Sequence, residues 1–127
     1  MSHAASSGDH ADVVVVGGGP VGLLVASELA LHGVEVTLVE ANADVIDHPK
    51  AGTLQARALQ LLRRRGYLPT GPVDAPADAI VQAPFHFAAQ VRFPVTSPAI
   101  EGSPVVNVWQ GEIERLLEAV CRSRGVR

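Results

Sequence analysis

Six residues, Gly17-Gly18-Gly19-Pro20-Val21-Gly22, carry the clearest chemistry in the chain. Their spacing is G-x-G-x-x-G, which suits the diphosphate of a nucleotide when a strand runs into it and a helix runs out. Gly17 permits a tight turn, Gly19 lets the backbone approach a pyrophosphate, and Gly22 lets the helix lie close to the strand. Pro20 and Val21 open the helix. There, unpaired N–H groups and a partial positive charge face an anion. Glu40 lies 23 residues beyond Gly17. An acid at that distance accepts hydrogen bonds from an adenosine ribose, and its charge disfavours a 2′-phosphate and so NADP.

The elements that must position these residues follow from the pattern. Asp12–Val16 reads as a strand buried in a parallel sheet, Val21–Leu31 as a helix apolar almost all round and so covered on several sides, and Val34–Glu40 as the next strand. Ala26 is a further small residue on the helix side expected to meet the strand. This is a β-α-β unit with a right-handed crossover. Ala41–Pro49 reads as loop and Thr53–Arg65 as a helix with Leu54, Ala58, Leu61 and Leu62 on one face, stopped by Gly66. Residues 69–104 hold seven of the nine prolines and read as extended segments and turns, with a hairpin among them. Gln110–Arg124 closes as an amphipathic helix with Ile113, Leu116, Leu117 and Val120 inward and Gly125 as its cap. A β-branched residue after that stop, Val126, marks where another strand would begin, so the sequence is read as stopping mid-fold.

Composition narrows the classes. The chain has 127 residues, 47% apolar and 18% charged, with mean hydropathy +0.22. That excludes intrinsic disorder and fits a section of a larger protein. Net charge is −3, with no general basic footprint for nucleic acid and no apolar run long enough to span a membrane. Residues 1–49 contain seven acids and no Lys or Arg, while residues 50–127 contain ten bases and six acids. An anion held by the first part must therefore rely on backbone dipoles or on groups from later in the chain. The single cysteine, Cys121, excludes an internal disulfide and multi-cysteine zinc motifs. It reads as a core residue. Residues 1–11 lack the basic features of a targeting peptide and read as a flexible leader, which makes the cytoplasm the default compartment.

Three stretches, DVVVVGGGPVGLLVASELALHGVEVTLVE, HPKAGTLQARALQLLRRRGYL and VWQGEIERLLEA, together resemble the N-terminal part of class A flavin-dependent aromatic hydroxylases of the polyketide type. Para-hydroxybenzoate hydroxylase is a distant relative. The resemblance implies an α/β fold: a partial Rossmann-like β-α-β FAD-binding domain over residues 12–127, its parallel sheet carrying a small β-rich insertion at 68–108. It implies FAD as cofactor, with NAD(P)H and O₂ as co-substrates of an intact relative. Lys50 stands where the family commonly has an Arg reaching the ADP half, and Gln110 matches a Gln beside the ribityl–phosphate part. Arg57 matches an Arg common in the polyketide branch. The family's later G-D and D-G motifs are absent, as is its substrate domain.

The expected site is therefore Gly17, Gly19, Pro20, Val21, Gly22, Glu40, Lys50 and Gln110, with no catalytic or metal-ligating residue. The expected function is an FAD segment that grips the ADP moiety and is inactive alone. The alternatives are a non-catalytic flavoprotein remnant that binds a complementing chain and an NAD-binding module. Arg63-Arg64-Arg65 reads as a solvated helix end. Trp109, Phe85, Phe87 and Phe93 read as packing residues.

Overall fold

The computed structural model describes residues 10–45, 51–68, 80–87, 91–99 and 102–127. The chain divides into two units, one of residues 1–48 and 111–127, the other of residues 49–110. The leader and Lys50 lie outside the described residues, apart from His10 and Ala11.

In the first unit, β1 (Val13–Val16) pairs with β2 (Val36–Val39) in parallel, Val13 opposite Val36 and Val16 opposite Val39. The connection is α1 (Pro20–Leu31), which packs on both strands. It buries Leu23, Ala26 and Ser27, the last two completely. A run of β-branched residues, a proline at the first helical position and small residues on the inward helix face produce this unit.

The covering is less complete than the apolar pattern suggests. Val14 and Val16 are exposed, as are Val21, Val25 and Leu31 of the helix. One stripe of α1 is buried rather than its whole surface.

α3 (Gln110–Ser123), all but its first residue in this unit, buries Ile113, Glu114, Leu117 and Cys121. The buried face thus recurs at every fourth residue from Ile113, and Val120 is only half-buried. Hydrogen bonds tie α3 and the residue just after it to α1: the Cys121 thiol donates to the Leu23 carbonyl at 3.2 Å, and the Arg124 guanidinium donates to the Ser27 carbonyl at 2.9 Å. Burial pushes the thiol pKa up, which keeps it a neutral donor. Gly125, at φ +78°, then reverses the chain. Arg127 N–H donates to Val36 O at 3.1 Å, and Leu38 N–H donates to Arg127 O at 2.7 Å. That is the bond pattern of a strand starting parallel to β2, where the sequence placed one.

The second unit is antiparallel. β3 (Thr53–Gln55) pairs with β6 (Val105–Asn107), and β4 (Ile80–Phe87) pairs with β5 (Val91–Pro98) as the expected hairpin. Pro84 faces Pro94. Both strands of this ribbon are edges, so the missing N–H groups are tolerated.

The helix expected from Thr53 begins later, as α2 (Ala56–Arg64). Thr53–Gln55 is drawn into the ladder with β6, since a β-branched residue favours a strand once a partner is present. Leu59 and Leu62 are buried and Leu61 is 57% exposed, so the inward face is rotated from the one expected. Arg63 is not a solvated helix end. Its guanidinium lies over Gly102, where a Cβ would sit 2.5 Å from a terminal nitrogen. Trp109 is 61% exposed rather than packed.

The tightest contact in the first unit is at Gly22, where a Cβ would stand 1.9 Å from the Gly17 carbonyl oxygen. Alanine gains roughly 1 kcal/mol over glycine in helix propensity, but that overlap with backbone outweighs the gain. Gly22→Ala is expected to lower unfolding stability by about 1–3 kcal/mol. Denaturant unfolding would show it, with an unchanged or raised midpoint as the contrary result.

Candidate functional site

The glycine turn is built from the end of β1 and the start of α1. Gly17 has φ +107°, a conformation that suits glycine. Its N–H donates to Val39 O at 2.8 Å, which continues the β1–β2 ladder into the turn. Gly19 is the helix N-cap residue in extended conformation, and its carbonyl accepts from Leu23 N–H at 3.0 Å. The N–H groups of Gly19, Val21 and Gly22 make no main-chain hydrogen bond among the described residues. Pro20 has no N–H to offer. The α1 first turn contains no acid, so its dipole is not offset from within the helix.

Gly19 presents an open side. The nearest heavy atom to a Cβ built there is Glu114 Oε1, at 3.9 Å. The turn therefore has donors, a positive dipole end and room for an anionic group, and these features fit a diphosphate.

Glu40 follows β2 directly and closes over the turn. Its Oε2 accepts the Gly18 N–H at 2.5 Å. Its Oε1 accepts both the main-chain N–H and the side-chain amide of Asn42, each at 2.9 Å. A Cβ on Gly18 would come within 3.0 Å of the Glu40 Cβ and Cγ. The middle glycine thus makes room for the acid, a role the spacing alone did not assign to it. The Gly18 N–H, then the Asn42 N–H, hold the Glu40 carboxyl below its usual range.

The structure brings Gly17, Gly19, Pro20, Val21, Gly22 and Glu40 together in one unit. Gln110 belongs to the other unit, where its N–H donates to Ala51 O at 3.2 Å. Ala51 directly follows Lys50, which lies outside the described residues. Asn42 and Glu114 were missed by sequence reasoning. An Asn two residues after an acid has no distinctive signal, and Glu114 reaches the turn from a remote part of the chain. Among the described residues no group of three or more His, Cys, Asp or Glu could hold a metal, and no helix is long and apolar enough to cross a membrane.

Because the folded-state pKa of Glu40 is lowered, its contribution is present above the ordinary Glu range and is lost as pH falls through the folded value. In a carbon-detected NMR titration the Glu40 carboxyl should titrate below an ordinary Glu. The Gly18 amide should follow with the same midpoint, and Glu40→Gln should abolish the Gly18 response. A Gly18 amide indifferent to pH would contradict the contact.

Comparison with known proteins agrees with this geometry. Residues 10–127 match the FAD binding domain family model. An uncharacterized aromatic compound monooxygenase, YhjG, of Bacillus subtilis (strain 168) is 47% identical over 57 residues, 45% of this chain and 11% of its own length. The dialkyldecalin synthase of Streptomyces rugosporus is 30% identical over 117 residues, 91% of this chain and 24% of its own. The solved structure of the anhydrotetracycline hydroxylase OxyS from Streptomyces rimosus superposes with TM-score 0.70 at 30% identity, covering 92% of this chain and 23% of that one. The chain thus spans less than a quarter of the length of these relatives. A β-α-β unit with a glycine turn of this shape, matched over nearly its whole length by the family model, places the chain in the FAD-binding domain family of aromatic hydroxylase-like monooxygenases, whose cofactor is FAD.

Proposed function

We propose that this chain grips the ADP moiety of FAD within an aromatic-ring hydroxylase-like monooxygenase. Gly17, Gly19 and Gly22 shape the turn, and the helix start at Pro20 and Val21 directs its amides at the diphosphate. Glu40 accepts from the ribose, and Lys50 and Gln110 are the further cofactor-binding residues of this reading. Bound FAD supplies the redox chemistry of ring hydroxylation in such enzymes. The residues described here bind and orient, and none forms a nucleophile–base pair. The chain alone is therefore inactive in this reading. Val14, Val16 and Val39, all exposed, are the strand residues that a complementing chain or further residues of a longer flavoprotein would cover.

The observation that carries the proposal is the contrast between Gly22, closed against the Gly17 carbonyl at 1.9 Å, and Gly19, open to 3.9 Å. The helix start is pulled onto the strand end while its mouth stays clear. The same contrast gives the test. Gly19 has ordinary extended backbone, φ −72° and ψ 178°, so Gly19→Val should fold like the parent. Its side chain would occupy the phosphate approach, and ADP and FAD affinity should fall more than about tenfold, the equivalent of 1.4 kcal/mol, in calorimetry. Unchanged ADP affinity with an unchanged Tm would remove the turn as the site, and NAD binding more tightly than FAD would favour the NAD module.

A further inference from the structure

The described residues of the first unit include four arginines, and each is directed elsewhere than the glycine turn. Arg115 Nη1 lies 3.6 Å from where a Cβ on Gly111 would stand, and Arg122 pairs with Glu118 at 2.5 Å. Arg124 donates to Ser27 O at 2.9 Å, and Arg127 donates to His10 O. The group that faces the turn is an acid. Glu114 is only 8% exposed, and its Oε1 is the nearest heavy atom to a Cβ built on Gly19, at 3.9 Å. A carboxylate only accepts hydrogen bonds, as a phosphate oxygen does, so neither can satisfy the other. Their repulsion is strong where water is excluded, and the helix end that offsets it supplies only about half a positive charge.

We propose that Glu114 is a specificity-determining residue that selects a nucleotide by the charge of its diphosphate. It favours a diphosphate capped at both ends, as in FAD, over one that ends in a free phosphate, as in ADP. This deepens the proposed function and rests on the glycine turn being the diphosphate site. In a capped diphosphate each phosphate carries a single charge. A terminal phosphate takes on a second at about pH 6, and only the uncapped ligand brings that added charge towards Glu114. Selectivity of this kind comes from an unfavourable contact with the wrong ligand rather than a new contact with the right one.

The full chain would be titrated calorimetrically with ADP and with its β-methyl ester, which caps the terminal phosphate without adding a sugar. Working at about pH 8 keeps that phosphate fully ionised in ADP, and EDTA excludes divalent cations. The parent should bind the ester about fivefold or more tighter than ADP. In Glu114→Gln, at unchanged Tm, the ratio should fall below about twofold, chiefly because ADP binds better. Should Glu114→Gln lower the Tm, Glu114→Asp takes its place: it keeps the charge but retracts it by one methylene, and the ratio should fall part of the way. Equal affinities in the parent, or an unchanged ratio in the variant, would overturn the proposal. If the parent binds ADP, the ester and FAD equally well, charge selection alone fails. If it binds none of the three, the reading of the turn as the diphosphate site fails and the proposal falls with it.

Discussion

The approach of α1 to the end of β1 at Gly22 is the constraint on which the rest of the first unit depends. A side chain there would overlap the Gly17 carbonyl, so only a hydrogen allows the helix to start where it does. That start fixes three things together. The N–H groups of Gly19, Val21 and Gly22 converge on one mouth, the helix axis delivers its positive end there, and the inward face of α1 meets the parallel pair. The remaining glycines then have separate tasks: Gly17 bends the chain, Gly18 makes room for Glu40 and Gly19 keeps the mouth open.

The electrostatics of this mouth are unusual in their economy. No Lys or Arg occurs before residue 50, so an anion bound by the first unit has only main-chain dipoles to neutralise it within residues 10–45. Two carboxylates stand nearby, Glu40 on Gly18 and Glu114 facing the open side of Gly19. Glu40 is held ionised by donors from Gly18 and Asn42, which suits an acceptor for neutral hydroxyls and repels additional phosphate. An acid held this way would, as a ribose acceptor, discriminate against a phosphorylated ribose. The first Lys or Arg of the chain is Lys50, beyond the β-α-β unit.

Similarity to longer proteins separates what this section does from what its relatives do. A monooxygenase and a dialkyldecalin synthase share its sequence pattern over different lengths. A shared section of fold is common ground for both, and a fold does not by itself select a reaction. The chemistry that distinguishes such enzymes resides in residues that meet the reacting groups.

Local rules made much of the structure legible. The valine run and the glycine–proline break set the β-α-β unit and its turn, since each depends on neighbours within a few residues, and the 23 residues from Gly17 to Glu40 are the length of one such unit. The stop at Gly125 and the strand start after it were readable for the same reason. Tertiary structure decided the rest. Thr53–Gln55 became a strand because β6 was there to pair with it, overriding a helical pattern that Ala56 onward still obeys. The inward side of α2 turned to Leu59 and Leu62, leaving Leu61 in solvent, because periodicity gives a stripe but not its rotation. Glu114 came near the turn only when the chain folded back on itself, while the local contact of Asn42 with Glu40 had no distinctive signal. Sequence determines which residues can bend, pair or accept; which lone pairs remain for a ligand depends on what else the fold brings to the same atoms.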